Sequence, residues 1–191
     1  MPVNPFTLAF RALHLGRYGK GSEDNRFYPL YIAYWDLVRG YESITNAELN
    51  EYQNNPSEAF DFNRLFGSKM IVANAEFRFP LLGVLGLGKG FYGAWPLEFY
   101  GFFDWGIAYA SNGSQWWGGL IYDDLGNVIG ENRDEVRPWF LSGGQRKPIR
   151  SYGIGLRTNL FGYIILGLNY VYPIDRPVRG WHLQLSISPG F

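Results

Sequence analysis

The sequence lacks cysteine, has only two histidines, and carries 17 basic against 17 acidic residues. Without cysteine, disulfides and thiolate metal sites are excluded. The histidines, His14 and His182, lie far apart in the sequence, so we expect neither a metal site nor a cofactor. Because the charges balance, no basic field is present to attract nucleic acid, and we expect none as a partner.

Long hydrophobic runs are also missing. A membrane-spanning helix needs roughly 18 uninterrupted apolar residues, whereas the apolar run from Leu81 to Gly88 stops at Lys89. Any insertion into a membrane would therefore have to use strands. Residues 1–5 lack the basic head and apolar run of a secretory signal, so for an exported protein we expect a fragment of a longer precursor.

What the chain does have is a β-rich composition, with 19% aromatic residues and 25 glycines. About six segments of roughly ten residues alternate apolar and polar side chains, which is typical of a transmembrane barrel. They run over Thr7 to His14, Ser68 to Phe79, Phe99 to Tyr109, Ser151 to Leu160, Tyr163 to Tyr172 and Trp181 to Phe191. The pattern predicts an all-β fold, with residues 1–191 as the C-terminal strands of a larger transmembrane antiparallel β-barrel.

Alternation assigns each residue of a strand to lipid or to an aqueous interior. Ionisable residues such as Glu76, Asp104 and Arg157 all fall on the inward parity. In the last segment the outward parity contains only apolar side chains: Trp181, Leu183, Leu185, Ile187 and Phe191. The inward positions of that segment are polar, namely His182, Gln184, Ser186 and Ser188.

Connections between the segments alternate in length. Long polar connections run from Leu15 to Leu65 and from Ser111 to Lys147, and a medium one from Pro173 to Gly180. Outer-membrane barrels place long loops outside the cell and short turns in the periplasm. Within the first long connection, Asn46 to Phe60 is predicted to form a short helix because an asparagine cap precedes an acidic first turn.

Val38-Arg39-Gly40-Tyr41, in the first long connection, resembles the Val/Ile-Arg-Gly-Phe/Tyr motif of the BamA/TamA superfamily, the bacterial surface antigen family. That motif lies in an extracellular loop that folds into the barrel. Val178-Arg179-Gly180-Trp181 nearly matches it too. The first match has the expected setting, because strands carrying inward Glu76 and then Phe103-Asp104-Trp105-Gly106 follow it.

The resemblance implies that Arg39 reaches carboxylates at the positions of Glu76 and Asp104. Physical chemistry favours such a cluster independently, since a guanidinium buried in a barrel stays charged and requires carboxylate partners on rigid strands. The alternative is that Arg39 is a solvated loop residue and that both acids face water.

The terminal strand resembles the β-signal, a C-terminal alternating strand with a final aromatic that the barrel-assembly machinery recognises. The alternative is an ordinary last strand whose Phe191 anchors at the membrane interface. The region from Leu15 to Asp36 resembles the subgroup in which a TolB-like propeller precedes the barrel.

The resemblance implies a non-enzymatic protein of the bacterial outer membrane that inserts or translocates other proteins, with its loop braced by the arginine-carboxylate cluster. Implied partners are outer-membrane lipid, client outer-membrane or secreted proteins, and the barrel-assembly machinery. We assign no catalytic residue: His182 and Ser186 share the inward parity, but residues four apart on a strand lie roughly 13 Å from each other.

Two other functions fit parts of the pattern. A passive outer-membrane channel or transporter shares the alternation but needs no Arg39 cluster. A soluble β-sandwich that binds carbohydrate or protein would bury its apolar parity between two sheets.

Overall fold

The structure, a computed structural model, describes residues 6–24, 26–42, 61–81, 97–111, 120–123, 125, 127–161, 163–176 and 180–189. The helix predicted from Asn46 to Phe60 and the terminal Phe191 lie outside these residues. Among the described residues, no helix is both long enough and apolar enough to cross a membrane.

All six segments predicted from alternation are strands, and they form one antiparallel sheet. The all-β prediction is confirmed, and the bounds differ from those predicted by a few residues. These strands are β1 (Thr7–Gly16), β4 (Lys69–Pro80), β5 (Leu97–Tyr109), β8 (Ile149–Leu160), β9 (Ile164–Pro173) and β10 (His182–Pro189). The sheet order is β1-β4-β5-β8-β9-β10, so β1 and β10 are the edges of the described sheet.

The two long connections contain short elements that alternation did not predict. The first connection, residues 17–68, includes β2 (Leu30–Tyr31) paired with β3 (Phe66–Gly67), and a 3-10 helix (Phe62–Leu65). The second, residues 110–148, includes the hairpin of β6 (Leu120–Tyr122) and β7 (Val128–Glu131), and a 3-10 helix (Arg133–Glu135). Their pairings are two to four residues long, too short for period-two alternation to be recognised.

The strand register pairs residues of the inward parity with one another across the sheet, so the two parities lie on opposite faces. Asn74 pairs with Arg11 on one side and with Asp104 on the other, and Asp104 pairs in turn with Ser151. On the far side of the sheet, Asn169 pairs with Gln184. All of these residues have the parity predicted to face inward, and we call the surface that they share the inner face.

The opposite surface, which we call the apolar face, is mostly uncovered. On edge strand β10, Leu183, Leu185 and Ile187 are between 61% and 70% exposed, while Gln184 on the inner face is 6% exposed. Phe10 on β1 is 77% exposed. Ile107, near the end of β5, is an exception at 1%.

The first connection folds back over the inner face and supplies six of the ten residues of the largest buried apolar cluster. Gly106 of β5 allows this close approach, since a Cβ at this position would lie 2.7 Å from both Ile32 Cδ1 and Val38 Cγ2. The buried cluster consists of Ile32, Ala33, Leu37, Val38, Tyr41, Leu65, Met70, Val72, Ala108 and Ile149. The core therefore lies between a loop and one face of a sheet.

Arg146 joins the two long connections. Its Nη1 donates to the carbonyl oxygen of Asn63 at 2.6 Å, and its Nε donates to that of Glu135 at 3.0 Å. Arg146 is buried, and burial lowers the pKa of its guanidinium to about 10. The carbonyl dipoles thus hold a charge that has lost its hydration, which fixes the second connection against the first.

Candidate functional site

The segment Val38-Arg39-Gly40-Tyr41, hereafter the loop motif, lies in a tight turn against the inner face. Gly40 has a φ of +88°, in the left-handed region that favours glycine. A Cβ at Gly40 would also lie 2.8 Å from Val171 Cγ1. Conformation and space both require glycine here, and the turn that results directs Arg39 toward β4 and β5.

Arg39 binds both carboxylates that the resemblance implied as its partners, Glu76 and Asp104. Its Nε and Nη2 each donate to one oxygen of Asp104, both at 2.7 Å, and its Nη1 donates to Glu76 Oε1 at 3.0 Å. The guanidinium carbon also lies 3.6 Å from the centre of the Phe102 ring. Arg39 thus uses its planar fork on Asp104, a third donor on Glu76, and one face on an aromatic ring.

Asp104 is the most enclosed member of the site, at 0% exposed. Besides the two guanidinium bonds, it accepts one from the backbone N–H of Arg39 at 3.2 Å and one from Asn74 Nδ2 at 2.7 Å. Asn74 also donates to the carbonyl oxygen of Leu37 at 2.7 Å. The carboxylate therefore receives charge-assisted bonds and anchors the loop backbone as well as the side chain.

Further charged residues extend the cluster along the inner face. Arg78 Nη2 lies 2.6 Å from Glu76 Oε2, and Arg157 Nη1 lies 3.8 Å from the same oxygen. Arg157 also pairs with Glu98 through Nε at 3.0 Å. With Arg39 and Asp104, these residues make three guanidinium groups facing three carboxylates, so the charges balance.

Burial and ion pairing have opposite effects on Arg39. Burial works to lower the pKa of its guanidinium, but the hydrogen bonds it donates to Asp104 and the charges of Asp104 and Glu76 raise it above the ordinary value. The charged form is therefore the stable one in the buried site. Removing one partner from such a pair leaves an uncompensated charge and typically costs about 3–5 kcal/mol.

A cavity of about 240 Å³ lies beside this cluster. Arg11 of β1 lines it from one edge of the sheet, and Ser186 and Ser188 of β10 line it from the other. The sheet is therefore curved enough for both edge strands to border the same space. Among the described residues, β1 and β10 do not form strand pairing with each other.

A second set of contacts holds the loop motif from the side of the third connection, residues 174–181. Arg176 Nη1 donates to the carbonyl oxygen of Gly40 at 2.7 Å. The Tyr41 hydroxyl donates to the carbonyl oxygen of Arg150 at 2.7 Å and accepts from the backbone N–H of Asp175 at 3.2 Å. Burial raises the pKa of Tyr41 well above its ordinary value.

Sequence reasoning missed several of these residues for different reasons. Asn74, Arg78 and Arg157 were on the inward parity, but parity alone does not say which inward residues touch. Asp175 and Arg176 lie in a connection, where no periodic signal exists. Val178 and Arg179 of the near-match to the loop motif lie outside the described residues.

The outward residues of the terminal strand all lie on the apolar face where they are described. Trp181 stacks on Tyr170 with ring centres 4.7 Å apart, and its edge faces Tyr152. Leu183, Leu185 and Ile187 project from β10 with no covering layer over most of their surface.

His14 and Ser186 each contact a different backbone carbonyl. His14 Nδ1 lies 3.0 Å from the carbonyl oxygen of Met70, and Ser186 donates to the carbonyl oxygen of Gly167 at 3.3 Å. Within the part of the chain that the structure describes, no three or more histidine or acidic residues are grouped to hold a metal ion.

No protein-family model, no curated protein and no solved structure matches the chain. A functional assignment therefore has to rest on the residues and contacts above, chief among them Arg39, Asp104 and Glu76.

Proposed function

We propose that this chain is the C-terminal part of an outer-membrane β-barrel of the BamA/TamA type, acting in the insertion or translocation of other proteins. The observation that carries the proposal is the position of Arg39, which a long loop delivers to Asp104 and Glu76 on adjacent strands. This is the arrangement that the resemblance implies for the loop of that family.

The membrane part of the proposal is supported by the contrast between the two faces of the sheet. Exposing a continuous apolar surface to water is unfavourable, and monomeric soluble proteins rarely do so on this scale. A lipid environment removes the penalty, because hydrocarbon solvates Leu183, Leu185 and Ile187 without a second protein layer. A soluble β-sandwich would need a second sheet over this row, and in the described residues the row is 61–70% exposed.

Aromatic side chains lie at both ends of the apolar face, as expected at two membrane interfaces. Tyr170, Tyr172 and Trp181 are at one end, and the contacting pair Phe79 and Phe99, near the end of β4 and the start of β5, is toward the other. At roughly 3.3 Å per residue, the nine steps of β9 from Ile164 to Pro173 span about 30 Å, or about 23 Å along the membrane normal at a tilt of ~40°. The apolar band of outer-membrane barrels is about 25 Å tall.

In the proposed mechanism the loop, bound through Arg39 to the carboxylates of β4 and β5, stabilises the arrangement of these strands. Meanwhile an edge strand of the sheet binds a client protein. Strand β10 pairs with β9 on one side only in the described sheet. An unpaired strand edge offers backbone donors and acceptors to an incoming strand. A client strand would add to this edge by main-chain hydrogen bonds, which accept many sequences.

Replacing Arg39 with Ala in the full-length protein tests the proposal. We expect a loss of heat-modifiable mobility on a gel and a loss of function in a growth assay, whereas Arg133→Ala, which alters a side chain that is 62% exposed, should change neither. Unchanged mobility and growth in the Arg39 variant would refute the role of the cluster. Single-channel conductance that is insensitive to Arg39, Glu76 and Asp104 would favour a passive channel instead.

A further inference from the structure

Two separate sets of contacts hold the loop motif, and only one of them is the carboxylate pair. The other set involves Ile174, Asp175 and Arg176, which we call the 174–176 clamp. Arg176 is 4% exposed and donates to the carbonyl oxygen of Gly40 at 2.7 Å. A buried guanidinium donating to a carbonyl is a strong hydrogen bond because the donor is charged.

The clamp is itself fastened to the sheet next to the loop motif. The backbone N–H of Ile174 donates to the carbonyl oxygen of Arg150 at 2.9 Å, and Asp175 pairs with the Arg150 side chain at 3.0 Å. Tyr41 donates to the same carbonyl oxygen of Arg150 at 2.7 Å and accepts from the N–H of Asp175. Tyr41 and the clamp therefore share one anchor, and neither moves without breaking bonds to it.

The clamp also continues directly from β9. Val171 of β9 packs behind Gly40 so closely that a Cβ there would lie 2.8 Å from Val171 Cγ1. His182, the first residue of β10, pairs with Val171. The loop motif thus touches the last residues of β9, the clamp that follows them, and through Val171 the start of the edge strand.

We propose that the 174–176 clamp couples the position of the β9–β10 hairpin to the binding of the loop motif against the inner face of the sheet. A displacement of the hairpin would withdraw Arg176 from Gly40 and Asp175 from Tyr41, leaving the loop held by Arg39, by the Tyr41 bond to Arg150 and by the Asn74 bond to Leu37. Because β10 is an edge of the described sheet, a chain that pairs with this edge would shift the hairpin and thereby loosen the loop. By thermodynamic linkage the reverse holds as well, so release of the loop loosens the hairpin.

This coupling rests on contacts within the chain and does not depend on which molecule engages the edge. Arg176 and Asp175 act as positioning residues for the loop motif. Their loss should unseat the loop without unfolding the sheet, which separates positioning from general stability.

Because the chain has no cysteine, a single introduced thiol can be labelled selectively, and its labelling rate measures how often its surroundings open. Val38→Cys places a thiol at a loop position that is 0% exposed, and Val136→Cys places one at an equally buried position in the second connection. Maleimide labelling of the full chain in detergent micelles then reports opening of each region separately. Arg176→Met should raise the labelling rate at position 38 by roughly tenfold to 100-fold, the effect of losing one buried charged hydrogen bond.

The same substitution should leave labelling at position 136 unchanged, and Arg176→Lys should restore part of the protection at position 38. Equal increases at both positions would show general destabilisation and overturn the proposal. An unchanged rate at position 38 would overturn it too.

A reciprocal measurement tests the coupling itself. Arg39→Gln unseats the loop from the carboxylate side, so amide hydrogen exchange of residues 174–176 and of the start of β10 should accelerate, while exchange in β1 should not. Unchanged exchange at 174–176 in a variant whose position 38 has become reactive would show that loop and hairpin move independently. The proposal would then fail even if the barrel inserts or translocates proteins as proposed above.

Discussion

Arg39 and Asp104 are 65 positions apart in the sequence and form a two-pronged ion pair with both bonds at 2.7 Å. The backbone N–H of Arg39 joins the same carboxylate at 3.2 Å. The pair fixes a long loop to the middle strands of the sheet, on the face opposite the exposed apolar residues. Several consequences can be measured.

Replacing Asp104 with Asn should destabilise the protein strongly. The change keeps the shape but leaves the Arg39 charge paired only with Glu76, and breaking a buried pair typically costs about 3–5 kcal/mol. Urea unfolding followed by tryptophan fluorescence measures the free energy of unfolding. Glu131→Gln is the control, because its pairing with Arg133 is solvent-exposed and such pairs contribute about 0–1 kcal/mol. Similar losses in the two variants would contradict the importance of the buried pair.

Replacing Gly40 with Ala should cost more than the same change at Gly19. Both residues have positive φ, +88° and +92°, where an L residue typically pays about 1–2 kcal/mol. A Cβ at Gly19 meets nothing within 4 Å, whereas one at Gly40 would lie 2.8 Å from Val171 Cγ1. The difference in free energy of unfolding isolates the steric part, and equal losses would show that Val171 does not confine the loop motif.

Acid should release the start of the first connection. Burial works to raise the pKa of Glu23, but hydrogen bonds from Lys69, Ser68 and the Ser111 backbone lower it below its ordinary 4.5. A depressed carboxylate pKa stabilises the fold at pH above the unfolded-state value, and this contribution is lost as the pH falls through the folded-state value.

Limited proteolysis of residues 17–24 should therefore increase as the pH is lowered below 4.5, the ordinary glutamate pKa. A protease that remains active in acid, such as pepsin, suits the measurement. In Glu23→Gln the segment should be cleaved readily throughout the acid range in which pepsin is active, and the rate relative to that of an unfolded substrate at the same pH should show no step. A step that persists in this variant would assign the pH response to another group.

A charge on the apolar face should impair membrane insertion, and the same charge on the neighbouring inner position should not. Leu185→Lys places an ammonium group at a site that is 67% exposed on the apolar face, where lipid contact would cost about 2–4 kcal/mol at the bilayer midplane. Ser186→Lys places it beside the cavity on the inner face. Flotation with phosphatidylcholine vesicles compares the two, and equal recovery would contradict a lipid-facing surface.

Much of the sheet could be predicted from the sequence because a strand with one covered face repeats its chemistry every second residue. Leu183, Gln184 and Leu185 are an example: the apolar residues are exposed on one face of the sheet, and the polar residue between them is buried on the other. The short β2–β3 and β6–β7 pairings have too few residues to repeat a pattern, so they could not be predicted.

The contact between Arg39 and its carboxylates was predictable only in part. Parity placed Glu76 and Asp104 inward, and the resemblance of the loop motif named Arg39 as their partner. Nothing local predicted that Arg176 would bind the Gly40 carbonyl, because side chains in irregular connections carry no periodicity. For Asn74, parity predicted the side of the sheet on which it lies but not its hydrogen bonds to Asp104 and Leu37.

By itself, the sequence determined the strand segments, the two chemically distinct faces and the inward position of the charged residues. These are local properties, set by the two-residue repeat of an extended backbone. Only the tertiary structure decided the strand order, the loop that covers the inner face, and the two sets of contacts that hold Gly40 and its neighbours. These depend on contacts between residues up to 136 positions apart, which local periodicity does not encode.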